Sequence, residues 1–184
     1  MTRPSPLLKP VFLALACSVA SPAIAVAETL DELFAELQDP ATENWQGVES
    51  QIWQEWSRSG SPSMDLLLER GREAIAAGDL EAAVDHLTAL TDHAPDFAEG
   101  WNARATAFYQ EGELGLAVAD IERTLALNPR HFGALSGFGM ILEELGHVKE
   151  ALEVYDAALA IHPHQPNVED AIERIKRELG EQEI

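Results

Sequence analysis

Between Met64 and Pro163 the apolar positions recur at helical spacing, and the whole pattern repeats every 34 residues. Leu67, Trp101 and Leu135 share one place in the period. Ala74, Phe108 and Leu142 share a second, and Leu87, Ile121 and Tyr155 a third. Pro95, Pro129 and Pro163 close the copies, which run 64–97, 98–131 and 132–165. Each copy reads as two amphipathic helices joined at a glycine: Gly78, Gly112 or Gly146. A helix end that needs a left-handed residue takes glycine without steric cost. Small residues pair at a separation of 12 in every copy: Gly71 with Ala83, Ala105 with Ala117, Gly139 with Ala151. This pairing predicts close helix–helix approach. The prolines cannot continue the second helix, so they turn the chain into the next copy.

The flanks follow other patterns. In residues 28–63, Thr29 and Glu32 form a capping-box signature ahead of Leu30, Leu33, Phe34 and Leu37. Asp39-Pro40 ends that helix, and a second is expected from near Thr42. Its apolar positions include Trp45, Val48, Ile52, Trp53 and Trp56. Two readings of the tryptophans are open. Either the pair of helices caps the end of the array with indoles in its core, or the indoles anchor a partner. Ser57 to Ser63 is a turn-rich linker. Residues 166–184 carry one apolar stripe, Val168, Ala171, Ile172, Ile175 and Leu179, and predict a C-terminal capping helix.

These repeats resemble the tetratricopeptide repeat. Trp101, Phe108, Ala117 and Pro129 match the family pattern in the second copy; Gly139, Ala151, Tyr155, Ala158 and Pro163 match it in the third. Position 7 departs, with Arg70, Arg104 and Phe138 in place of leucine. The resemblance implies an all-α fold: a right-handed α–α superhelix of three helix hairpins, here with capping helices at both ends. It also implies that the first helix of each hairpin lines an inner groove. The family's ligand-facing positions bring Asp65, Leu68, Arg72 and Ile75 to that groove, then Glu99, Asn102, Thr106, Tyr109 and Gln110, then Gly133, Ser136, Met140, Glu143 and Glu144. Arg72, Asn102, Thr106, Tyr109, Ser136 and Met140 are the candidate peptide-binding residues. Some relatives clamp a ligand's terminal carboxylate with Lys, Asn and Arg. Arg72 is the sole base in these places and Gly133 and Gly137 stand where such a clamp needs side chains, so the clamp is not carried over. The third copy, stripped to Gly133, Ser136 and Gly137, lets a backbone or a segment of the chain itself approach closely.

Charge and the N-terminus narrow the function. Arg3 and Lys9, the apolar run Val11 to Ala20, and Ala25-Val26-Ala27 have the order of a secretory signal over residues 1–27, with cleavage expected after Ala27. An uncleaved anchor is the alternative. Cys17, the one cysteine, leaves with the signal, so the mature chain has no thiol or disulfide chemistry. Loss of Arg3 and Lys9 leaves 10 basic against 32 acidic residues, a net charge of −22. Such a surface repels nucleic acid and anionic lipid. His162-Pro163-His164 is the densest histidine motif, but proline splays the pair and no third ligand is evident. Gly137-Phe138-Gly139 follows no strand, and Ser59-Gly60-Ser61 lacks a nucleophile-elbow context. No metal, cofactor or catalytic residue is assigned. The expectation is a non-catalytic scaffold of the bacterial envelope, periplasmic, holding a peptide or partner protein in the groove. The alternative is an accessory subunit that docks through the Trp45/Trp53/Trp56 segment.

Overall fold

The structure is a computed structural model and describes residues 29–182, with side chains to residue 180. The expected signal and its cleavage site lie outside the described residues. Among the described residues there are nine helices and no strand: α1 Leu30–Leu37, α2 Trp45–Trp56, α3 Pro62–Ala77, α4 Leu80–His93, α5 Ala98–Glu111, α6 Leu114–Leu127, α7 Phe132–Glu144, α8 Val148–Ile161 and α9 Pro166–Gln182. None is long and apolar enough to cross a membrane.

Three hairpins, α3–α4, α5–α6 and α7–α8, stack in order as an all-α solenoid. The turns are built alike. Gly78, Gly112 and Gly146 have φ of 75°, 82° and 80°. The next amide in each case reaches back to the carbonyl of Ala74, Phe108 or Leu142, closing the helix with a Schellman bond. At the other end, Ala94, Asn128 and His162 precede the three prolines. Their φ values of −132°, −135° and −133° are the extended backbone that a following proline imposes.

In the first and third hairpins a large side chain fills the space over the small residue of the first helix. A Cβ on Gly139 would lie 2.4 Å from Tyr155 Cε1, and one on Gly71 would lie 2.5 Å from Leu87 Cδ2. The nearest group over each of these glycines is therefore the large knob of the partner helix, one turn beyond the alanine. Ala83, Ala117 and Ala151 are themselves fully buried. Arg104, standing where the repeat pattern has leucine, forks onto Asp120 of α6 at 2.7 and 2.9 Å and reaches Thr88 and Thr91. Its guanidinium also lies 4.9 Å from the Trp101 ring centroid.

α9 closes the far end. Val168, Ala171, Ile172 and Ile175 bury against Ala151 and Tyr155. The N-terminal pair behaves otherwise. The capping box of α1 is formed, with Thr29 and Glu32 bonded reciprocally. α2 starts at Trp45 rather than near Thr42, because Thr42 Oγ1 is spent on the Glu36 carbonyl at 2.7 Å and Asp39 Oδ1 holds the Ala41 amide, keeping this stretch in a turn. The expected cap on the open end of the array is corrected: the core of α1–α2 includes Phe132 and Ile161 and no buried residue of the first hairpin. The linker through Ser57–Ser61 carries the pair back across the array to the third copy. Arg130 ties Asp31 at 2.7 Å and lies 4.2 Å over Phe34; His164 Nε2 lies 3.1 Å from the Asp39 carbonyl oxygen.

Trp53 sits on Gly133, where a Cβ would come within 2.7 Å of the indole. Trp56 stacks on His131 at 4.3 Å, and Trp45 stacks on His164 at 5.6 Å. The indoles are thus largely spent inside the molecule, and the bare helix of the third copy receives a segment of its own chain. This docking is expected to depend on pH. His162 is buried against Phe132 and Trp45, and burial, reinforced by nearby His164, pushes its pKa down from 6.5 to about 4. Glu49 faces it at 3.8 Å. The unfolded chain takes the proton below its ordinary value near 6.5 while the folded chain resists it until about 4. The contribution of His162 to stability is therefore expected to be complete well above pH 6.5 and to fall as pH drops through 6.5 to about 4, by up to about 3 kcal/mol. Tryptophan fluorescence across that range is expected to report release of α1–α2. His162→Gln flattens the transition; an unchanged wild-type spectrum down to pH 4 contradicts the assignment.

Candidate functional site

α3, α5, α7 and α9 lie side by side, and a trough of three connected hollows runs along them. The first, about 290 Å³, is lined by Trp53, Arg72, Ile75, Glu99, Asn102 and Thr106. The second, about 280 Å³, adds Tyr109, Gly133, Gly137 and Met140 over a floor of Ala105, Ile121 and Ile141. The third, about 400 Å³, continues through Ser136, Glu143, Glu144, Asn167 and Arg174. Asn102 and Thr106 join the first to the second; Tyr109 and Met140 join the second to the third.

The six candidate residues all line this trough, but they are not equally free. Met140 is 44% exposed at the junction of two hollows. Tyr109 is half-buried beside it, and burial with the adjacent Glu144 and Glu143 carboxylates raises its pKa, keeping the phenol a proton donor at neutral pH. Thr106 is exposed, its hydroxyl bonded to the Asn102 carbonyl at 3.1 Å. Ser136, by contrast, is buried, with Oγ 2.7 Å from Gln165 Oε1 and 2.8 Å from the Phe132 carbonyl. Its hydroxyl therefore positions α9 against α7 instead of reaching a ligand. Arg72 is tied to Glu99 at 2.5 Å and Ser57 at 3.0 Å. Of the wider set, Leu68 is in the core and Asp65 holds the Ser59 amide at 2.7 Å.

Arg72 belongs to a network that the sequence did not reveal. Glu99 is 3% exposed and accepts from Arg72, from Asn102 at 3.3 Å and from His131 Nε2 at 2.8 Å. His131 is the N-cap of α7: its Nδ1 accepts the Ala134 amide at 3.0 Å. Since Nδ1 is an acceptor, the ring proton sits on Nε2 and points at Glu99. Trp56 then covers the imidazole. The network neutralises Arg72 and binds α2, α3, α5 and α7 together at the rim of the trough. The only local hint was a histidine at a capping position, which is too common a substitution to single out.

At the other end Arg174 forks onto Glu143, which also accepts from the Tyr155 hydroxyl at 3.3 Å. The Glu143 carboxylate raises the Arg174 pKa; burial and then Glu143 raise that of Tyr155. Glu144 is exposed and has no ion-pair partner among the described residues. No group of three or more metal-ligating side chains is assembled among the described residues.

A model of the tetratricopeptide repeat family matches residues 68–123 and 113–166. A TPR repeat-containing protein of Rhizobium etli is 34% identical over 156 residues, covering 83% of this chain and 76% of that one. Small glutamine-rich tetratricopeptide repeat-containing protein 2 of Saccharomyces cerevisiae is 29% identical over 133 residues, 72% of this chain but 37% of that protein's length. Among solved structures, the first TPR of Spaghetti (RPAP3) bound to the HSP90 peptide SRMEEVD superposes with a TM-score of 0.63 at 24% identity, covering 65% of this chain and 98% of that one. MamA superposes with a TM-score of 0.61 at 19% identity, covering 76% and 81%. At such identities the structural likeness speaks for the fold alone. Three hairpins in a 34-residue register, the family match across them and the Rhizobium relative agree: this chain belongs to the tetratricopeptide repeat family.

Proposed function

We propose that the chain is a non-catalytic interaction scaffold that holds a segment of a partner protein in the trough between α5 and α7. One observation carries this reading: the trough stays open at its centre, around Tyr109, Gly137 and Met140, although α1–α2 fills the rim beside it. A preorganised groove on packed helices binds a peptide at low ordering cost. The RPAP3 domain is bound to an HSP90 peptide and the TPR2B domain of yeast Sti1 is in complex with pHsp70, which supports peptide binding as the mode while leaving their ligands with them. The docking alternative through Trp45, Trp53 and Trp56 has less support, since those indoles pack on His164, Gly133 and His131.

The periplasm is the proposed location, supported by the signal-like order of residues 1–27. Fractionation should recover a shortened chain with the periplasmic contents; full-length chain in the cytosol overturns the location. For binding, affinity-tagged chain and its Gly137→Leu variant are compared in pull-downs from envelope extract. A Cβ at Gly137 meets only Ile121 Cδ1, at 4.0 Å, so the backbone has room for a side chain there, and circular dichroism checks that the variant is folded. A partner retained by the parent and lost by the variant supports the reading. Equal capture by both contradicts it.

A further inference from the structure

The charges along the trough cancel in pairs until one is left. Arg72 is bonded to Glu99, and Arg174 to Glu143. Glu144 stands without an ion-pair partner among the described residues, on the wall of the third hollow beside Tyr109, which also lines the second. Beside it the second hollow is apolar below, with Ala105, Ile121 and Ile141, and it is lidless above because Gly137 contributes no side chain. Its volume of about 280 Å³ has room for one large aliphatic or aromatic side chain. The whole chain has a formal net charge of −20 and thus draws cationic segments toward the site.

Resting on the trough reading above, we infer that the partner segment is basic, with an apolar anchor seated over Gly137 and a lysine or arginine set against Glu144. An acidic segment, such as one ending in a free carboxylate, meets the opposite chemistry here. Arg72, the one base at the first hollow, is already held by Glu99, and Glu144 repels a carboxylate. The apolar contact supplies most of the affinity and the charge selects among partners.

Fluorescence anisotropy tests this with two labelled peptides, one carrying a leucine flanked by lysines and one the same leucine flanked by glutamates. The folded chain is expected to bind the lysine peptide at least tenfold more tightly, with affinity falling as salt rises. Glu144→Lys should weaken it about tenfold, and Gly137→Leu should abolish it, with circular dichroism unchanged in both. Glu153→Lys, an exposed change on α8 away from the trough, serves as the charge-matched control and should leave binding as it was. Preference for the glutamate peptide, still lost in Gly137→Leu, overturns the basic-ligand inference and leaves the trough reading standing. Equal weakening by Glu153→Lys and Glu144→Lys reduces the effect to bulk charge and overturns the inference too. Binding of neither peptide, or binding that Gly137→Leu leaves intact, overturns both.

Discussion

Gly139→Leu is expected to unfold the third hairpin, lowering stability by about 3 kcal/mol or more. A Cβ at this place would stand 2.4, 2.6 and 2.9 Å from three atoms of the Tyr155 ring. That ring cannot step aside. It is 2% exposed, its hydroxyl is bonded to Glu143, and it packs on Val168, Ala171 and Ile172. A Cβ at Gly71 would likewise stand 2.5 Å from both Cδ2 and Cγ of the fully buried Leu87. Since contacts in a stacked array are mainly between neighbours, the loss concentrates in α7–α9 and in α1–α2, which rests on Phe132. Thermal melting by circular dichroism should show an early transition of part of the helix signal. A melt unchanged from the parent would contradict the packing described for this hairpin.

The second large effect sits in the middle copy. Arg104→Leu restores the family's usual residue type, yet it should destabilise the chain by about 3 to 5 kcal/mol. Asp120 is 5% exposed, and the bidentate fork from Arg104 is its side chain's one ion pair among the described residues. Removing the arginine leaves a buried carboxylate without its counter-charge, and the hydroxyls of Thr88 and Thr91 lose their donor as well. The double variant Arg104→Leu with Asp120→Leu should recover most of the loss, because replacing both members with apolar groups removes the uncompensated charge. Chemical denaturation of the four proteins forms a cycle. A single variant as stable as the parent would show that the pair carries no stability.

Much of the fold was legible because it rests on local rules repeated three times. The glycines at 78, 112 and 146 mark left-handed turns, and the residues before Pro95, Pro129 and Pro163 are extended, as elementary sterics require. What was not legible involves partners far apart in sequence. Small residues 12 apart marked a close approach of the two helices, but not that the side chain nearest Gly139 is Tyr155, 16 residues on. Arg104 looked like a simple departure from leucine until Asp120 was opposite it. The N-terminal pair was expected at the open end of the array, since its apolar stripe says only that it is covered and not by what. Its destination is set by Phe132, His131 and Gly133, about eighty residues further along the chain.

The candidate site was legible as a face and not as a set of contacts. Periodicity and the family pattern brought Asn102, Thr106, Tyr109 and Met140 to one trough. They could not distinguish Tyr109 and Met140 from Ser136, whose hydroxyl belongs to Gln165, or from Arg72 and Asn102, which are bonded to Glu99. Side-chain commitments of this kind depend on which helix passes overhead, and that is a tertiary fact.

The central claim is that the centre of the trough, and neither the tryptophan segment nor the opposite face, receives the partner. Site-specific photo-crosslinking reads this directly, with the reactive side chain placed in turn at Met140, at Gln51 on the exposed side of α2 and at Leu116 on α6. In cells producing the full chain, an adduct from Met140 with none from Gln51 or Leu116 is the predicted result. An adduct from Gln51 or Leu116 with Met140 silent would contradict the account.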